Sequence, residues 1–136
     1  MILVGNGRVG QGLASRADAF GLSVSMVTRT RGIEWLGADE QGPVLVCINA
    51  GDIRGFGSTV SRQRRPDLVF VQNGMIHPAL VDIGCTNNTL GLLYFAVPTR
   101  GVPLQPGGTS LFCGPHAETI VNWFRSMDLD AHGVER

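Results

Sequence analysis

Met1-Ile2-Leu3-Val4-Gly5-Asn6-Gly7-Arg8-Val9-Gly10 opens the chain, an apolar run that breaks into three spaced glycines. The run Met1 to Val4 reads as a short buried strand. From Val9 to Phe20, apolar or small residues at Val9, Leu13, Ala14, Ala17 and Phe20 fall at helical spacing, and Gly21 supplies a stop. Leu22 to Val27 alternates apolar residues with serines and reads as a second strand. A strand, helix and strand within about thirty residues make the smallest parallel crossover unit. In the pattern G-x-G-x-x-G at that first turn, each glycine has its own task. The first permits the sharp bend, the second lets a phosphate approach the backbone, and the third lets the helix pack on its strand. Free amides and the positive end of the helix dipole then face the anion.

The pattern alone recurs by chance in a chain with 19 glycines. Its context gives it meaning, because a strand precedes it, a helix follows and a second strand lies beyond. We expect Gly5, Asn6, Gly7, Arg8, Val9 and Gly10 to hold a dinucleotide pyrophosphate; a coincidental turn is the alternative. The end of the second strand distinguishes the cofactors. An acid about twenty positions on binds the ribose of NAD, whereas arginine suits the 2′-phosphate of NADP. Here the sequence is Val27-Thr28-Arg29-Thr30-Arg31, with no acid. Thr28 and Arg29 therefore point to NADP (NADPH), through charge-assisted bonds to a phosphate. A solvated loop is the competing reading.

Beyond this unit, Gly32 to Gly42 carries weak signals for a short helix or partial strand. Pro43 to Ile48 is a near-continuous apolar run, as a parallel strand covered on both faces requires. A short helix is expected over 53–63, a buried strand over Leu68 to Val71, and a helical turn over Pro78 to Val81. Leu90 to Val97 reads as a long strand. Val102-Pro103-Leu104 and Thr109 to Cys113, separated by Gln105-Pro106-Gly107-Gly108, are expected to form an antiparallel hairpin. His116 to Met127 places Ile120, Val121, Phe124 and Met127 on one helical face, before a short polar tail. The expected fold is α/β: a Rossmann-like, mainly parallel sheet with a C-terminal antiparallel hairpin and a final helix, in a single domain over 1–136.

Composition narrows the function classes. With 43% hydrophobic and 16% charged residues there is material for a core and no disorder signature. Net charge is zero, so the basic excess of a nucleic-acid binder is absent. Arg62-Gln63-Arg64-Arg65 is the one basic cluster, read as a solvated helix end before Pro66 rather than a phosphate patch. Cys47, Cys85 and Cys113 have no metal-like spacing, and their odd number favours a reducing compartment. No apolar stretch approaches the ~20 residues that span a bilayer. The chain enters a strand without a signal-peptide pattern. A cytoplasmic protein with no metal, nucleic-acid or membrane partner is expected.

GNGRVG, the Arg29 after the second strand, LVFVQNGM at 68–75 and the glycine-proline at 114–115 together resemble the N-terminal domain of the ketopantoate reductase (2-dehydropantoate 2-reductase) family. The similarity runs from Met1 to about Phe124. It implies NADPH-dependent reduction of a 2-oxo acid to a 2-hydroxy acid, with Asn73 beside nicotinamide and substrate. Asn-Gly is also the commonest turn signal, so a turn alone is the other reading of Asn73. Three departures stand out. Asn49, in Cys47-Ile48-Asn49-Ala50, replaces the family's lysine and cannot supply its charge, although it can still hydrogen-bond. The connection between the second strand and Pro43 lacks the family's extra strand and helix, which would leave one sheet edge and part of the adenine pocket missing. The 136 residues are expected to lack the family's C-terminal helical domain, which brings the acid-donating lysine, substrate contacts and dimer interface.

Reduction of a 2-oxo acid needs a hydride donor, a proton donor and a cation for the carboxylate. For the proton the sequence offers His77 and His116, each more simply read as a loop residue. Arg54 and Arg100 are cations that nothing in the sequence places at a site. Three readings follow: an NADP-dependent reductase half completed by a homodimer or a partner supplying the helical domain, a nucleotide-sensing module without turnover, or an interaction protein with an empty site.

Overall fold

A computed structural model describes residues 1–28, 42–97 and 102–135. The weak element expected over 32–42 lies outside these residues but for its last position, as do Arg29, Arg31 and Arg100. The first strand, β1 (Ile2–Val4), leads through α1 (Arg8–Ala19) to β2 (Ser25–Val27). β3 (Val44–Val46) passes through α2 (Ile53–Thr59) to β4 (Leu68–Phe70), and α3 (His77–Asp82) leads to β5 (Thr89–Leu92). There follow β6 (Phe95–Ala96), β7 (Gln105–Pro106), β8 (Ser110–Cys113), α4 (Ala117–Ser126) and β9 (Ala131–Gly133).

Seven strands form one sheet in the order β2-β1-β3-β4-β5-β8-β9, and only the β5–β8 pairing is antiparallel. The alternation of strand side chains decides which helices cover which face. Leu3, Leu45 and Val69 stand in register and pack with α1 and α4 through Leu13, Ala17, Ile120 and Phe124. Their neighbours Val4, Val46 and Phe70 point the other way, onto α2 and α3 through Ile53, Leu80 and Ile83. Both faces are therefore apolar, which is why β3 and β4 are continuous hydrophobic runs. The α/β Rossmann-like architecture expected from the sequence is present.

Several details differ from the sequence reading. The antiparallel hairpin exists, but it joins β6 to β7, with Phe95 opposite Pro106. Ser110–Cys113 instead enters the main sheet between β5 and β9. The reason is Phe112, which is fully buried and meets Phe124 edge-on at 5.1 Å, an anchor that a peripheral hairpin could not provide. Gln105 and Pro106 are exposed, and a proline without an N–H suits such an edge. The run 90–97 consequently divides after Leu92. The polar tail contains β9, held by the buried Ala131 and by its pairing to β8.

α2 ends at Thr59 rather than continuing through the arginines, and Arg64 is not solvated. Its side chain is 2% exposed, bonded to the Asp67 carboxylate and to Gly42 O at 3.3 Å. Arg65 donates to Val60 O at 3.0 Å and Ile83 O at 3.3 Å. The basic run thus stitches loops beneath the sheet, and of its three arginines only Arg62 is an exposed cation.

Candidate dinucleotide site

The glycine turn is shaped by close backbone approaches. Gly5 leaves β1 with φ +97° and donates its N–H to Val27 O at 2.9 Å. A Cβ there would stand 2.6 Å from the carbonyl oxygen of Cys47, so both conformation and space require glycine. A Cβ at Gly10 would stand 2.1 Å from Gly5 O. Nothing lies within 4 Å of the position a Cβ would take at Gly7. The first and third glycines thus serve packing, whereas the second opens onto free space.

α1 begins directly after Gly7, whose carbonyl accepts the first helical bond from Gln11 N at 3.0 Å. No side chain caps this end and no acid occupies its first turn. The amides ahead of Gln11 have no partner inside the helix, and the dipole adds positive potential there. Arg8 is exposed, Val9 is half-buried and Gly10 is buried against the turn.

A crevice of about 690 Å³ opens above this turn. It lies at the carboxyl ends of the strands, where β1 stands between β2 and β3 and the chain reverses its direction across the sheet. Gly5, Asn6 and Gly7 form its floor, Val27 and Thr28 one side, and Ile48, Asn49, Asp52, Phe56 and Thr59 the other. Asn49 precedes a short 3-10 turn over Ala50–Asp52, which its carbonyl closes by accepting Asp52 N at 2.9 Å. Cys47 also lines the crevice, and burial pushes its thiol up to about 12, so it stays protonated near neutrality.

Gln72 is a residue that sequence reasoning missed. Its Nε2 donates to Val46 O at 2.7 Å and Ile48 O at 2.9 Å, while its Oε1 accepts Val71 N at 3.1 Å. It clips the end of β4 to the strand end that carries Asn49. The only sequence signal was a polar residue next to the buried run Leu68 to Val71, and that does not reveal a main-chain bridge.

Asn73 follows Gln72 on an exposed turn where Gly74 takes φ +102°, and it is not among the residues lining the crevice. His77 is exposed at the start of α3. His116 sits elsewhere: its Nε2 meets Asp67 Oδ1 at 2.8 Å, and its N–H donates to Thr89 Oγ1 at 2.7 Å. Asp67 immediately precedes β4 and Thr89 begins β5, so His116 lies at the end of the sheet opposite the crevice. Arg54 is engaged with Asp82 at 2.6 Å. Gly5, Asn6, Gly7, Thr28 and Asn49 line one crevice; Arg8, Val9, Gly10, Asn73 and His77 are not among its lining residues, and His116 lies at the other end of the sheet.

The residues present fit a dinucleotide. A pyrophosphate needs uncapped helical amides and a backbone that a Cβ does not shield. Both occur at the start of α1, beside the crevice.

No protein-family model matches the chain, and no curated protein is similar to it in sequence. Solved structures share its fold. The 2-dehydropantoate 2-reductase from Methylococcus capsulatus is 19% identical with a TM-score of 0.68, over 99% of this chain and 56% of that one. D-mandelate dehydrogenase in complex with NADH is 11% identical with a TM-score of 0.64, over 98% and 55%. Pyrroline carboxylate reductase from Plasmodium falciparum with NADP bound is 11% identical with a TM-score of 0.67, over 98% and 56%. The chain thus spans a little over half the length of each, and the ketopantoate-reductase resemblance drawn from the glycine turn holds at the level of fold.

Proposed function

We propose that residues 1–136 are an NADP(H)-binding Rossmann domain, the cofactor half of a 2-oxo-acid reductase resembling ketopantoate reductase. The observation that carries this reading is the uncapped start of α1 beneath an open Gly7, at the switch point of the sheet. Gly5 to Gly10 would cradle the pyrophosphate, and Thr28 and Arg29 would meet the adenosine ribose and its phosphate. Asn49 would hydrogen-bond from the facing side. A bound nicotinamide supplies a hydride to a carbonyl carbon. Asn73, one residue beyond the Gln72 clip, is our candidate for contact near that end.

No lysine occurs in the 136 residues. In this reading the proton donor and the carboxylate-binding cation that lysines supply in the family would come from a homodimer partner or another polypeptide segment. Three free cysteines accord with the reducing cytoplasm as its location. Dinucleotide titration tests the binding reading: NADPH should saturate the chain, and lack of binding by NADPH and NADH would refute it.

A second reading has its own support. Asn49 in place of a lysine favours a nucleotide-sensing module without turnover. Loss of NADPH absorbance with ketopantoate and related 2-oxo acids separates the two, since a sensor binds without consuming the cofactor.

A further inference from the structure

Among the described residues lining the crevice, one carries a formal charge, and it is an acid. Asp52 ends the 3-10 turn that Asn49 begins and occupies the N-cap position of α2. Its side chain makes no capping bond to that helix, so the carboxylate is not spent on local structure. Asp52 is exposed, and its carboxylate has no hydrogen-bond or ion-pair partner among the described residues. β1 runs between β2 and β3, so Thr28 and the Asn49–Asp52 segment flank the glycine turn from its two sides.

We propose that Asp52 is a selectivity residue that limits the negative charge accepted at the adenosine ribose. The inference rests on the dinucleotide reading. A pyrophosphate over Gly5 to Gly7 directs the ribose toward the end of β2, the position where this fold reads the 2′ substituent. An acid across the crevice repels a 2′-phosphate more strongly than it affects an uncharged 2′-hydroxyl. The carboxylate thus weighs against NADPH, and removing Asp52 shifts the preference of the chain toward the phosphorylated cofactor.

The test is titration of NADPH and NADH into wild-type, Asp52→Asn and Asp52→Glu chains, at low salt and at about 0.5 M salt, where screening is strong. In Asp52→Asn the ratio of NADPH to NADH affinity should rise about three- to tenfold at low salt and fall back as salt screens the charge. Asp52→Glu retains the charge and should keep the wild-type ratio. An unchanged ratio in Asp52→Asn overturns the inference alone, as does a gain that salt leaves intact. Failure of the wild-type chain to bind either dinucleotide overturns the dinucleotide reading, and this inference with it.

Discussion

A Cβ on Gly10 would stand 2.1 Å from the carbonyl oxygen of Gly5, so the first turn of α1 touches the end of β1 backbone to backbone. At Gly7, between them in sequence, a Cβ would meet nothing. Three glycines that look equivalent in the sequence thus divide into two that build the turn and one that leaves it open.

Gly10→Ala should accordingly destabilise the fold by about 1–3 kcal/mol or more, the usual cost of forcing atoms into a packed site. Gly7→Ala should cost about 0.5 kcal/mol or less, as an unobstructed surface change does. Urea unfolding of the two variants checks the contrast, and equal losses would contradict the division.

Gly7→Asp carries the division to the ligand. The variant should keep the melting temperature of the wild-type chain but lose its stabilisation by NADPH, because the carboxylate would occupy the anion's place. Thermal melts with and without NADPH report both quantities.

Much of this was legible in the sequence because parallel strands covered on both faces must be continuous apolar runs, as Val44–Val46 and Leu68–Phe70 are. The glycine turn was legible for the same reason that it exists, namely close backbone approach. β9 was not, since Ala131-His132-Gly133 acquires strand character only through its pairing to β8. Gln72 and Arg64 were not legible either. A polar side chain that bridges distant main-chain groups leaves no periodic trace, and a buried arginine looks like any surface cation until its partners are known.

Those partners give a further prediction. Arg64 is bonded to Asp67, but its Nε and Nη2 are buried without partners among the described residues. Asp67→Ala would leave a buried guanidinium without its counter-charge and should cost about 3–5 kcal/mol. Arg64→Met removes the charge together with its unsatisfied donors and leaves Asp67 its bond to His116, so it should cost clearly less. Chemical denaturation of both variants decides; a larger loss for Arg64→Met would refute the account.

Cys47 adds a pH dependence. An ordinary thiol titrates near 9.0, whereas burial pushes Cys47 up to about 12. Between these values the unfolded chain releases a proton that the native chain retains, so this group's contribution is intact below about pH 9 and declines as pH rises toward 12. Cys47→Ala should flatten that part of the stability profile. An unaltered slope between about pH 9 and 11 would show that the thiol is not the source.

The most direct test of the central claim is the melting temperature of the 136-residue chain in NADPH and in NADH. If α1 and its glycine turn hold a dinucleotide, NADPH at about one hundred times its Kd should stabilise the chain by about 2.7 kcal/mol, a rise of roughly 10 °C. No rise with either cofactor, at millimolar concentration, would contradict the account.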